Sequence, residues 1–492
     1  MEITQAVGDA EKLRTELLVI GIFAGEPLRG AAQAVDHLTN GRLSHIVRRG
    51  EIGSAPGATL LVRDLPGAAA VRILLVSLGS AASFSDEAYR KALEATARAL
   101  GEGVASEAVV TLVENLVPGR SLAWSVQQAG RFLADDNHRI VLPGSQSSSW
   151  DRNARGARSI MLLIPTTLTS ELVGALRRGL AVAEGIALSK DLDDPGGQLP
   201  TTSALANAAK AMGEEFRFPV EVLERNPLRT IGRQTPPSAG ETPANAKMIV
   251  MHYKGRRARN RPIVLAGAGT PVTLNGASSV LGALKAVARL RLPINVIGLV
   301  TAAGCAKRGN VCPSDPDVTL VSSREFDARD RPFELRSGQR DMFTYAERFV
   351  PSTVIGIATL AASVAAVGAR NLYANDNTLA AELLKSSEES GGRAWRLHLW
   401  DDRTDRIESY RASTGDVDAM RAASLLRCSA KTYSWGYLDI EETASGAVQP
   451  ENKVDCLVAL LADFLINRAA EAALSMPEAR GGRKTHNRGV VL

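Results

Sequence analysis

The chain has 492 residues, 45% of them apolar and 23% charged. That balance suits a soluble globular protein of two or three domains, for which disorder is not the default over any long stretch. The net charge of +5 is mild for this length, so charge alone points only weakly towards nucleic acid.

Residues 1–18 carry Glu2, Asp9, Glu11 and Glu16, a pattern that fits neither a signal peptide nor a mitochondrial presequence. No apolar run is long enough to span a bilayer, so a membrane partner is not expected. The four cysteines (Cys305, Cys312, Cys428 and Cys456) form no CxxC pair. Free thiols in a reducing, cytoplasmic setting are the expectation.

In chain order, residues 17–23 (LLVIGIF) read as a buried strand and 31–38 as a helix. Residues 59–62 and 71–78 read as strands. A helix follows over 85–100, with Ser85 as its N-cap and Asp86 and Glu87 at its positive end. Residues 109–113 form another strand, 144–156 a polar loop, and 159–164 a further strand. A Pro-free helical pattern over 169–188 marks the junction between two units. Residues 190–202 are turn-rich, and a helix starts at Ser203. Strands over 247–253, 262–267, 293–300 and 352–360 then alternate with helices over 276–290 and 361–369. Strands separated by helices predict mostly parallel sheets covered on both faces. The C-terminal segment, with Arg480, Arg483, Lys484 and Arg488, reads as a basic tail.

Several segments carry a resemblance to a known family. Lys190-Asp191-Leu192, Pro195 and Leu199-Pro200-Thr201 follow an RDL-N-P-N-LTP pattern. MIVMHYKG over 248–255, GASSVLG over 276–282 and LPINVIG over 292–298 come next. TYAERF over 344–349, IATL over 357–360 and WGYLDI over 435–440 complete the series. In order and spacing they resemble the leucyl (cytosol) aminopeptidase family, and residues 61–78 resemble the smaller domain of its bacterial members. The resemblance implies an α/β protein with a smaller N-terminal, macro-like unit over 1–165 and a linker helix over 166–187. A larger aminopeptidase-like α/β unit with a central mixed sheet follows over 188–479, and a basic tail over 480–492.

Family members remove N-terminal residues with two divalent metals, Zn or Mn, held about 3.5–4 Å apart largely by carboxylates. Ala268, in GAG over 267–269, stands where the family has a metal-binding Lys, and Thr273 where it has an Asp ligand. The family's Gly-rich loop with its catalytic Lys is absent, because Leu274-Asn275-Gly276 already opens the next helix. The signature NTDAEGR aligns with residues 330–336. There Pro332 replaces an Asp ligand, while Glu334 and Arg336 keep the positions of the Glu ligand and the catalytic Arg. On this alignment Glu334 and Arg336 are vestigial and no metal cofactor is expected. The implied function is that of a non-catalytic homologue. It would be a structural or regulatory subunit of a hexamer, either a homo-hexamer or a hetero-oligomer with an active paralogue.

Two alternatives stand beside it. A DNA-binding accessory role would use the cluster Arg256, Arg257, Arg259 and Arg261. A residual metallo-aminopeptidase would recruit ligands from Asp315, Asp317, Asp327 or Asp330. Other chemistries find no support. The six histidines form no HExxH pair, GAG lacks a full GxGxxG, and Walker and GxSxG patterns are missing.

Overall fold

The structure is a computed structural model that describes residues 1–135, 157–193, 201–223, 247–256, 260–269, 275–302, 337–358, 370–399, 433–440 and 453–474. The expected loop over 144–156, the helix over 361–369, the basic tail, Cys305, Cys312 and Cys428 lie outside these residues.

The first unit is built on strands β1 (Glu2–Val7), β2 (Leu17–Ile22), β3 (Thr59–Arg63), β4 (Arg72–Ser77), β5 (Glu107–Val110) and β6 (Ser159–Ile164). They form one sheet in the order β1-β6-β5-β2-β4-β3, parallel throughout except for β3 against β4. β2 is buried along its whole length, as an uninterrupted apolar run in a covered parallel sheet requires. Helices α1 (Gly30–Leu38), α2 (Arg42–Arg48), α3 (Asp86–Gly101) and α4 (Leu122–Asp135) cover the sheet. Ser85 does cap α3: its hydroxyl accepts the N–H of Ala88 at 3.4 Å. The strand expected over 109–113 sits earlier, at Glu107–Val110, because Leu112–Glu114 winds into a short helical turn.

Helix α5 (Ser170–Asp193) leads into the second unit. It runs past the expected end at 188 and takes in Lys190 to Asp193, which the sequence reading assigned to a turn. Leu192, only 1% exposed, continues the apolar face, and no proline intervenes before Pro195. After α6 (Thr202–Phe216), capped by Thr201, come β7 (Val220–Leu223), β8 (Lys247–Lys254), β9 (Ile263–Gly269), α7 (Asn275–Leu290), β10 (Asn295–Ala302) and α8 (Ser337–Ala346). Then follow β11 (Thr353–Ala358), β12 (Arg370–Ala374), α9 (Asn377–Ser390), β13 (Ala394–Arg396), β14 (Ser434–Asp439) and α10 (Lys453–Leu474).

The second sheet has eight strands in the order β13-β12-β14-β11-β9-β10-β8-β7. Its centre, β14-β11-β9-β10, is parallel, and β8 and β12 run against it. It is therefore mixed, as the resemblance implied. One face packs under α7 through Val280 and Leu284 against Leu265 and Ile357. The other packs under α8 through Met342 and Phe343 against Val264 and Val354.

α5 touches both units. It lies along α4 on one side and crosses α7 on the other. At the second crossing a Cβ on Gly185 would overlap the carbonyl oxygen of Gly282, and a Cβ on Gly282 would meet that of Gly185. One turn away, the hydroxyls of Ser189 and Ser278 are hydrogen-bonded at 2.9 Å. Small residues thus allow the two backbones to touch, and the serine pair fixes their register.

Candidate active site

In an open α/β sheet, ligands bind outside the carboxyl ends of the strands, where the connections diverge. Here that point lies between β9 and β11. The chain leaves β9 through α7 and returns to β10 on one side. It reaches β11, on the other side of β9, through α8 on the opposite face of the sheet. The carboxyl ends of β9, β10, β11 and β14 come level there: Ala302 pairs with Gly269, Ile357 with Gly267, and Ala358 with Asp439.

The described lining is mostly without donor side chains. Ala268 is half-buried near the end of β9, followed by Gly269, with Ala302 and Ala358 on the neighbouring strands. Thr301 donates its hydroxyl to the sulfur of Met342 at 3.5 Å. The carboxylate at the strand ends is Asp439, 3% exposed, level with Ala358 and with Asn371 on β12. The first turn of α7 presses directly on this edge. A Cβ on Gly276 would run into the carbonyls of Ala268 and Ile357, and one on Gly267 into that of Gly276. The N-terminal end of α7, with its positive partial charge, therefore faces the crevice.

Of the residues singled out from the sequence, Ala268 lies in this crevice, while Thr273, Pro332, Glu334 and Arg336 lie outside the described residues. Arg256 and Arg261 are exposed on the connection from β8 to β9, at the amino edge of the parallel strands and opposite the crevice. Arg261 donates its Nε to the carbonyl of Val350 at 2.9 Å. Arg257 and Arg259 lie outside the described residues. Sequence reasoning did not single out Asp439. Its signal was a lone acid closing the apolar run WGYL, the place where a strand end meets a crevice.

The molecule is thus two α/β units joined by a buried helix, with a crevice at the switch point of a mixed sheet. The profile of the cytosol aminopeptidase family, N-terminal domain, matches residues 19–140, and that of its catalytic domain matches residues 271–460. A probable cytosol aminopeptidase of Azoarcus sp. is 41% identical, across 96% of this chain and 100% of that protein. One from Aromatoleum aromaticum is 38% identical over the same shares of the two chains. The chain belongs to the cytosol aminopeptidase family. Among solved structures, a tomato leucine aminopeptidase mutant superimposes with a TM-score of 0.76 at 22% identity, covering 95% of this chain and 96% of that one. The bottromycin maturation enzyme BotP in complex with Mn gives a TM-score of 0.68 at 20% identity, covering 92% of this chain and 100% of that one.

These findings correct the expectation that no cofactor belongs here. The family's catalytic-domain profile covers residues 271–460, which include β10, β11 and β14, and a protein of the same fold carries Mn. The described residues do not by themselves make a metal-binding set. Among them no group of three or more His, Cys, Asp or Glu side chains comes together, and Ala268, Gly269, Ala302 and Ala358 offer no side-chain donors. Thr273, Asp315, Asp317, Asp327, Asp330 and Glu334 all lie outside the described residues. Also among the described residues, no helix is long and apolar enough to cross a membrane.

Proposed function

We propose that this chain is a metal-dependent aminopeptidase that releases N-terminal residues from peptides at the crevice outside β9 and β11. The observation that carries this reading is end-to-end similarity: 41% identity to a probable cytosol aminopeptidase over 100% of that protein's length. The positive end of α7 favours negative charge developing beside it. By resemblance, Glu334 would hold a metal, Zn or Mn, and Arg336 would stand in the position of the catalytic Arg. Bound metal would supply the activated water.

Ala268 favours a second reading. Its methyl group stands where the family has a metal-binding Lys, and the first turn of α7 closes directly on that strand end. On this reading the chain holds a peptide terminus without cutting it, as a structural or regulatory subunit. In either case we infer a hexamer, homo-oligomeric or shared with an active paralogue.

Hydrolysis of leucine amide by the full chain, with added Mn²⁺ or Zn²⁺ and the Azoarcus relative alongside, separates the two. The first reading expects turnover that a chelator abolishes. Turnover by the relative alone, with this chain inert across both metals, overturns it in favour of the second.

A further inference from the structure

The two units meet along a seam of charged and polar side chains. From the first unit, Arg90 on α3 donates Nη2 to the carbonyls of Glu388 at 3.4 Å and Glu389 at 3.1 Å. Arg131 on α4 donates Nη1 to the carbonyl of Ser390 at 2.7 Å. These carbonyls end α9 and carry the negative end of its dipole; that of Glu388 also accepts the N–H of Gly391 at 3.2 Å. Two guanidinium groups of one unit thus cap a helix of the other.

Beside this clamp lies Asp463 on α10, 6% exposed. It accepts Nε2 of Gln127 on α4 at 3.0 Å, and Gln127 in turn accepts Nε of Arg178 on α5 at 3.2 Å. Because Arg178 occupies the amide oxygen, the amide nitrogen is left to face Asp463. The charged groups facing Asp463 are Arg131 from α4, Arg178 from α5 and Glu389 from α9. Glu389 itself accepts Asn467 of α10 at 3.3 Å and lies 4.0 Å from Lys385. Towards α5 and α7, α10 also packs Val458, Ala459 and Ala462 against Val182, Ile186 and Ala286.

We propose that Asp463 is a proton-operated latch between the two units: protonated, it lets α4 and α10 pack tightly, and its ionisation as the pH passes neutrality loosens the seam. Burial is the largest influence and pushes its carboxyl up to about 7; Glu389 adds to that push, while Arg131, Gln127 and Arg178 oppose it. The folded chain therefore keeps a proton over a range where the unfolded chain has lost it. That contribution to stability is full below the ordinary aspartate range and is lost as the pH rises through about 7. Another carboxyl, the partly buried Glu114, accepts the N–H of Ala31 at 3.1 Å in the first unit and is also pushed up to about 7 by burial. It acts in the same direction, so a test must resolve where stability is lost.

Hydrogen exchange of the full chain, read by peptide from about pH 5.5 to about pH 8.5 and corrected for intrinsic rate, does this. Protection of α4 and α10 should fall at least about tenfold across that range, steadily up to about pH 7 and then level off. Asp463→Asn keeps the bond to Gln127 and should hold protection level there, while Glu114→Gln leaves the fall in α4 and α10 intact. A level wild-type profile in α4 and α10, or the same fall in Asp463→Asn, overturns the latch. Should the Asn variant not fold, Glu114→Gln decides: a fall in α4 and α10 that persists in it supports the latch, and its loss there refutes it.

Discussion

Replacing Gly185 by alanine lowers the stability of the folded chain by about 2–3 kcal/mol. The substitution carries a gain: alanine is the better helix former by about 1 kcal/mol. The crossing decides the sign. The new methyl would overlap the carbonyl oxygen of Gly282, which is backbone and cannot rotate away, and would crowd the side chain of Val458. Relief requires α5 and α7 to separate. That stretches the Ser189–Ser278 hydrogen bond and opens the apolar contact with Val182, Ile186, Ala286 and Val458. Gly282→Ala forces the same separation from the other side. The double variant should therefore cost less than the sum of the two, because one movement relieves both clashes. Thermal denaturation of the three variants checks this. A melting temperature equal to or above that of the parent for Gly185→Ala would mean that the helices do not touch as described.

This crossing also shows where sequence reasoning stops. Gly185 reads as a weak spot in a long helical pattern, and nothing local says which helix it meets. What the sequence did carry was period and punctuation. The apolar runs at β2 and β4 lie within a residue of their predicted bounds, and Ser85 marked the start of α3. Strand β1 escaped because it is an edge strand, mostly half-buried with exposed ends, so it has no apolar run to announce it. The end of α5 was misplaced because Lys190 and Asp191 look like turn residues, whereas buried Leu192 keeps the helix going. For the site, the GAG at the end of β9 and its abrupt passage into α7 could be read directly. The meeting of Ala268, Ala302, Ala358 and Asp439 could not. It follows from strand order, which long-range pairing sets, and no residue on β9 encodes that β11 rather than β8 lies beside it.

The same dependence on distant partners makes Arg131 the most exacting side chain of the seam. Arg131→Met keeps most of the aliphatic stem but removes a guanidinium that is 4% exposed, caps Ser390 and stacks 4.8 Å from the ring of Phe132. A charged hydrogen bond to a helix end is worth about 1.5–3 kcal/mol, so the loss should approach about 3 kcal/mol once the cation–π contact is included. A second consequence separates this role from simple packing. Arg131 pulls the Asp463 carboxyl down against the push of burial. Without it that carboxyl should rise above about 7, and the pH at which the seam loosens should rise with it. Denaturation at several pH values reads both effects at once: lower stability throughout, and a fall displaced to higher pH. Lower stability with an undisplaced fall would show that Arg131 holds α9 in place but has no electrostatic hold on Asp463.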